Sequence, residues 1–161
     1  MSFSEPFVCV AADLDEIFEG GGRMFSGTTF QTIDAKGRIV LPARFREQLG
    51  ESFIISKGFS DCAQVLSLDE FENLREQIKT LPAKPASALR YNVIATAVEV
   101  SPNASGRISI PQSLREIASL EKEAAVLGMD NRIEIWNKDK FDEMMAQSKD
   151  DLDAALSMLN F

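Results

Sequence analysis

Asp34-Ala-Lys-Gly-Arg-Ile-Val-Leu-Pro-Ala-Arg-Phe-Arg46 decides the fold, because a second stretch, Asn103-Ala-Ser-Gly-Arg-Ile-Ser-Ile-Pro-Gln-Ser-Leu-Arg115, reads almost alike 69 residues later. Six positions are identical: the Ala, Gly, Arg, Ile, Pro and final Arg. The likeness continues with one slipped residue, Val65-Leu66-Ser67-Leu68-Asp69-Glu70-Phe71 answering Ile135-Trp136-Asn137-Lys138-Asp139-Lys140-Phe141 at an offset of 70. The chain therefore reads as a tandem duplication of one unit of about 50 residues.

Each copy has the same physical logic. Residues 28–33 and 95–100 are β-rich runs of mixed polarity, as half-buried strands are. Asp34-Ala-Lys-Gly37 and Asn103-Ala-Ser-Gly106 are turns, since Asx side chains bond their own backbone and Gly tolerates positive φ. Residues 38–41 and 107–110 form the returning strands, with Ile39, Leu41, Ile108 and Ile110 alternating into the core. Pro42 and Pro111 end those strands and open short helices, from which Phe45, Leu49, Leu114 and Ile117 pack inward. A later strand pair follows in each copy, 53–56 with 64–67 and 124–127 with 133–136. Asp69 and Asp139 are expected to cap amphipathic helices that run to about Thr80 and about Asn160.

Four short strands cannot bury both faces alone, so the two copies are expected to close on each other as a pseudo-symmetric β-barrel of the α+β class with flanking short helices. The expected layout is an acidic, flexible N-terminal extension over 1–23, a first repeat over 24–80, a connector with a short helix over 81–94, and a second repeat with a C-terminal helix over 95–161. Glu19-Gly-Gly-Gly22 separates the extension from the first repeat.

Composition excludes much. No histidine occurs among the 161 residues, which rules out His-dependent triads and His-containing metal sites. Cys9 and Cys62 are too few for a four-cysteine site or a disulfide framework, pointing to a reducing, cytoplasmic setting. No apolar run reaches the roughly 18 residues a membrane span needs. Gly20-Gly21-Gly22 precedes no Gly-Lys-Ser/Thr and is no phosphate loop. Acid pairs such as Asp69/Glu70 or Asp150/Asp151 sit on predicted solvated helix faces. No catalytic, metal or cofactor site is expected.

The net charge of −8 is uneven: residues 1–23 hold −4 and residues 138–161 hold −3, which leaves −1 for the 114 between. Within that middle lie the most basic windows. Residues 34–46 carry Lys36, Arg38, Arg44 and Arg46 against Asp34, and residues 103–115 carry Arg107 and Arg115 against no acid. Arg38 and Arg107 follow their glycines at matched places. A guanidinium forks to phosphate or to guanine O6/N7 in a way lysine cannot match. Arg44, Arg46 and Arg115, after each proline, are candidates for phosphate contacts or for structural pairs with acids such as Asp34 or Glu116. The competing reading is an oligomeric scaffold in which Arg38 and Arg107 pair with acids across subunit contacts.

The Asp-x-Lys-Gly-Arg-x-x-x-Pro-x-x-x-Arg pattern, its second copy and Met24-Phe25-Ser26-Gly27 ahead of the first resemble the MraZ family, which belongs to the AbrB/SpoVT-type, swapped-hairpin DNA-binding proteins. The resemblance covers about residues 24–145. It implies two tandem AbrB-like repeats and a cytoplasmic, nucleoid-associated transcriptional regulator, a repressor of the division and cell-wall gene cluster promoter. It further implies a ring-shaped homo-oligomer that binds short direct repeats in double-stranded DNA. Carried over, the DNA-facing arginine of the first motif is Arg38, with Lys36 beside it, and that of the second is Arg107. Two features depart from the family pattern. The second motif begins with Asn103 and has Ser105 at its third position, and 23 residues precede Met24, near which similar proteins commonly begin.

Overall fold

Gly37 and Gly106 turn the chain at φ of +77° and +78°, and the route taken after each turn sets the topology. The structure, a computed structural model, describes residues 24–160. The extension expected over 1–23 lies outside those residues. The elements in chain order are β1 (Thr28–Thr32), β2 (Arg38–Val40), α1 (Ala43–Leu49), β3 (Phe53–Lys57), β4 (Ala63–Ser67), α2 (Leu68–Lys79) and α3 (Ala83–Leu89). A π-helical turn (Arg90–Ile94) leads to β5 (Val98–Val100), β6 (Arg107–Ser109), α4 (Gln112–Ile117), β7 (Glu123–Met129), β8 (Arg132–Asn137), α5 (Lys138–Gln147) and α6 (Lys149–Leu156).

The strands after the two turns pair with each other. β2 and β6 form an antiparallel ribbon in which Ile39 faces Ile108, Arg38 faces Ser109 and Val40 faces Arg107. The remaining strands make a six-stranded antiparallel sheet in the order β1-β7-β8-β4-β3-β5. Exchanging equivalent strands of the two repeats (β1 with β5, β3 with β7, β4 with β8) leaves that order unchanged. The pseudo-twofold axis therefore runs between Ile39 and Ile108 in the ribbon and between Gln64 and Glu134 in the sheet. Each repeat also lends its first strand to the other, β1 to β7 and β5 to β3.

This corrects two expectations. β2 does not run back along β1 as a local hairpin; one Asp34 N–H to Arg38 carbonyl bond closes the turn, and the strands then part. Nor is the sheet closed into a barrel, because β1 and β5 are its two edges. The physical reason is that β2 and β6 spend their hydrogen bonds on each other, so no ladder links the edges.

Three layers result. One face of the sheet (Phe53, Ile55, Ala63, Val65, Ala124, Val126, Ile133 and Ile135) packs under the ribbon and the short helices, against Ile39, Leu41, Phe45, Leu49, Ile108, Ile110 and Leu114. The other face carries two smaller clusters. Ile54 and Leu66 meet Phe71 of α2, and Ala125, Leu127 and Trp136 meet Phe141 of α5. Being covered on both faces, the central strands are buried almost continuously along their length, polar Ser56, Gln64 and Glu134 included.

Local details refine the helices. Ser67 Oγ and Asn137 Oδ1 accept from the Glu70 and Lys140 amides, so the caps lie two residues before Asp69 and Asp139. Those two acids instead occupy first turns, where the helix dipole favours negative charge. The last helix breaks at Ser148, whose hydroxyl donates to the Met145 carbonyl, in place of one helix to Asn160. Ile117 is exposed, because Ala118 is the counterpart of Leu49 and takes the buried place at the helix end. The connector's helix spans Ala83–Leu89 and runs into the π-helical turn.

Because neither repeat owns a complete set of strand partners, residues 24–94 alone are predicted to be unfolded or to pair with a second copy that supplies the missing strands. Analytical ultracentrifugation with circular dichroism checks this; a stable folded monomer would contradict the interleaved topology.

Candidate nucleic-acid interface

Strand alternation sorts the ribbon's residues into two faces. Ile39 and Ile108 are fully buried, so their neighbours Arg38, Val40, Arg107 and Ser109 point the other way. Register then places Arg38 and Arg107 at diagonal corners of one outward face. Val40 and Ser109 complete that face. The residue types alone gave no reason to single them out, although their positions beside the buried isoleucines carry the signal.

The first turn orients its arginine tightly. Asp34 Oδ1 accepts from the amides of Lys36 and Arg38, both at 2.9 Å. Its Oδ2 accepts from Arg38 Nε at 2.8 Å. The Arg38 amide bond is the main cause holding the Asp34 carboxyl below its ordinary 3.8, with the Arg38 side chain and Lys36 amide acting in the same direction. Binding at Nε leaves the two terminal nitrogens of Arg38 available as an outward fork. Lys36 is exposed at the tip of the turn.

The second turn repeats the backbone pattern with a neutral side chain. Asn103 Oδ1 accepts from the Ser105 and Arg107 amides, each at 3.0 Å. Its uncharged amide offers no ion pair, and Arg107 donates from Nη1 to Ser105 Oγ at 3.0 Å. Arg107 is therefore the less restrained arginine, with no described carboxylate partner offsetting its charge.

The motif's last arginines do something else. Arg46 Nε donates to the Leu41 carbonyl at 2.9 Å and Arg115 Nε to the Ile110 carbonyl at 3.0 Å. Each guanidinium lies against the turn glycine of the opposite repeat. A Cβ at Gly37 would sit 2.6 Å from Arg115 Cζ, and one at Gly106 would sit 2.8 Å from Arg46 Cζ. Neither arginine pairs with Asp34 or Glu116: Asp34 holds Arg38, and Glu116 accepts from Gln112 Nε2. Two bonds finish the cross-link, from the Ile110 amide to the Gly37 carbonyl at 2.9 Å and from the Leu41 amide to the Gly106 carbonyl at 3.2 Å. Arg44 donates to the Ser26 carbonyl at 2.8 Å and stacks over Phe45 at 4.5 Å, tying down the chain that enters β1.

Among the described residues no group of three or more acids and cysteines is placed to hold a metal ion, and no helix is long and apolar enough to cross a membrane. Burial, reinforced by Glu134, pushes the Cys62 thiol up to about 12, so it stays protonated and un-nucleophilic near neutral pH. Glu134 itself accepts from Trp136 Nε1 and from Arg132 beneath the sheet, away from the ribbon.

The glycine–arginine lock predicts that Gly37→Ala costs about 1–2 kcal/mol from the left-handed φ alone, and more through collision with Arg115. The second part should vanish in an Arg115→Ala background; a denaturant double-mutant cycle reads it, and strict additivity would refute the lock. A depressed carboxyl stabilises the fold above its unfolded value, and that contribution is lost as pH falls through the lower folded one. Asp34 is therefore predicted to titrate below 3.8 in a carboxyl NMR titration, with the Lys36 and Arg38 amide signals following it. A normal titration would remove Asp34 as the orienting group.

The family model described as "MraZ protein, putative antitoxin-like" matches residues 24–91 and again residues 93–159. A protein of Caldanaerobacter subterraneus subsp. tengcongensis named Transcriptional regulator MraZ is 46% identical over 122 residues, spanning 74% of this chain and 85% of its own length. Relatives of the same name from Thermoanaerobacter sp. (strain X514) and Acetivibrio thermocellus are 45% and 43% identical over 122 and 121 residues, with the same coverage of both chains. Matched in both of its halves, and alike to these relatives over three quarters of its length, the chain belongs to the MraZ family.

Proposed function

We propose that the protein is a sequence-specific regulator of transcription that binds double-stranded DNA through the outward face of the β2/β6 ribbon. The observation that carries this is the diagonal pair of part-exposed Arg38 and exposed Arg107 on one outward β-surface of an otherwise acidic protein. A two-stranded ribbon fits the major groove, and arginine forks discriminate guanine from the other bases there. In this reading Arg38 and Arg107 contact base edges, and Lys36 reaches a phosphate beside the first turn. Arg46 and Arg115 act mainly as positioning residues that hold the opposite turn, and with Arg44 they add positive field toward the backbone.

One ribbon offers few contacts. A homo-oligomeric ring would repeat it at fixed spacing, so short direct repeats would be bound with avidity. The relatives' name supports regulation of transcription, and the family resemblance supports repression at the division and cell-wall gene cluster promoter. On this reading the protein is not an enzyme and acts in the cytoplasm at the nucleoid. The asymmetry between Asp34 and Asn103 gives the two ends of the ribbon different stiffness, with Arg38 the better-ordered reader.

The test is anisotropy titration against the DNA upstream of the protein's own gene. Arg38→Ala is expected to lose about 1–3 kcal/mol of specific binding per ribbon, multiplied across an oligomer into loss of specific retention. Melting temperature and assembly should change little. Affinity should also fall with salt at a log–log slope near −0.9 per phosphate neutralised. Unchanged affinity of Arg38→Ala at matched salt would refute the assignment, and an oligomer with no duplex affinity at low salt would favour the scaffold reading.

A further inference from the structure

Two surfaces far from the ribbon lack partners, and each has what the other needs. The first is α6. It is eight residues long and none of them is buried, so little within the chain stabilises it. Leu152 and Leu156, followed by Leu159, fall at helical spacing four and then three, and all three are about half exposed. Asp150, Asp151 and Asp153 flank this stripe.

The second is a groove of about 490 Å³ between α2 and the π-helical turn. Ile78, Ile94 and the highly exposed Tyr91 supply apolar surface, and Arg75, Lys79 and Arg90 are its charged lining residues. Arg75 and Lys79 have acids of α2 beside them, Glu72 at 3.9 Å and Glu76 at 2.9 Å, whereas Arg90 makes no ion pair among the described residues. The groove thus presents one cation, Arg90, that no acid offsets among the described residues, and the helix, after Lys149 at its start, carries three aspartates around an apolar stripe.

We infer that α6 of one copy docks in the α2/π-turn groove of a second copy, joining the second repeat of each protomer to the first repeat of the next. The occupant follows from charge complementarity and from the asymmetry between equivalent parts. In the first repeat, the segment after α2 buries Ala86 and Val93, while its counterpart α6 buries nothing. A contact between two different surfaces is head-to-tail, so it propagates, and it closes into a ring when the rotation permits. This supplies a contact for the self-association proposed above and involves neither Arg38 nor Arg107, so it stands or falls without DNA.

Light scattering on the full chain, with no nucleic acid present, tests it. Leu152→Asp/Leu156→Asp and Arg90→Glu/Tyr91→Asp change exposed residues, and unaltered circular dichroism will confirm that both variants fold. Each is expected to weaken self-association by at least about tenfold, as loss of an interface anchor does. Mixed one to one, they should form a heterodimer, because one retains a groove and the other a helix. A monomeric wild type, or association indifferent to both variants, overturns the proposal. So does a groove variant that still assembles while the helix variant does not, which would mean helix-to-helix pairing. Assembly lost on removing residues 1–23 but retained in the helix variant would assign the groove to that segment and equally overturn it.

Discussion

The reciprocal contact between each motif's final arginine and the other motif's turn glycine is the constraint on which the architecture rests. Arg115 covers Gly37 and Arg46 covers Gly106, so each turn, closed by its own Asx residue, is also braced by the opposite repeat. The isoleucine pair Ile39 and Ile108 sits between these locks, fully buried under the ribbon. Truncating either isoleucine would remove core contacts of a kind worth about 2–4 kcal/mol. A small two-stranded ribbon would be marginal in water. Pinned at both ends by guanidinium groups and from beneath by the core, it becomes a rigid platform.

That platform explains the division of labour among the repeated arginines. Those after the glycines lie on the ribbon's outward face, and those at the ends of the motifs turn back to backbone carbonyls and the opposing glycine. The departure at Asn103 also acquires a physical meaning. A carboxylate at the first turn grips Arg38 at 2.8 Å, whereas the amide at the second leaves Arg107 to a serine hydroxyl. The two ends of a pseudo-symmetric ribbon are therefore inequivalent in charge and in restraint.

Much of this architecture is legible in the sequence. The duplicated motif, the glycine turns, the later strand pairs and the buried alternation of Ile39, Leu41, Ile108 and Ile110 all follow from local rules. Strand exchange does not, because a run such as Arg38-Ile-Val carries no record of which edge it will join. Residue pattern alone expects a local hairpin, and the swapped arrangement entered only through the family resemblance. Arg46 and Arg115 were ambiguous for a related reason: their partners are glycines, which leave no complementary charge or shape to find in the sequence. The cap assignments failed at Asp69 and Asp139 because Ser67 and Asn137, the last residues of their strands, supply the capping oxygen first. Ile117 failed through a single-residue shift along α4.

The claim at the centre is that the face carrying Arg38 and Arg107 is the one that meets DNA. A photo-crosslinking amino acid at Val40, between the two arginines on that face, tests it most directly when irradiated with the upstream duplex. The account predicts an efficient crosslink from Val40 and none from a control on the far side of the sheet, such as Gln147 at the end of α5. Crosslinking from Gln147 with a silent Val40 would contradict it.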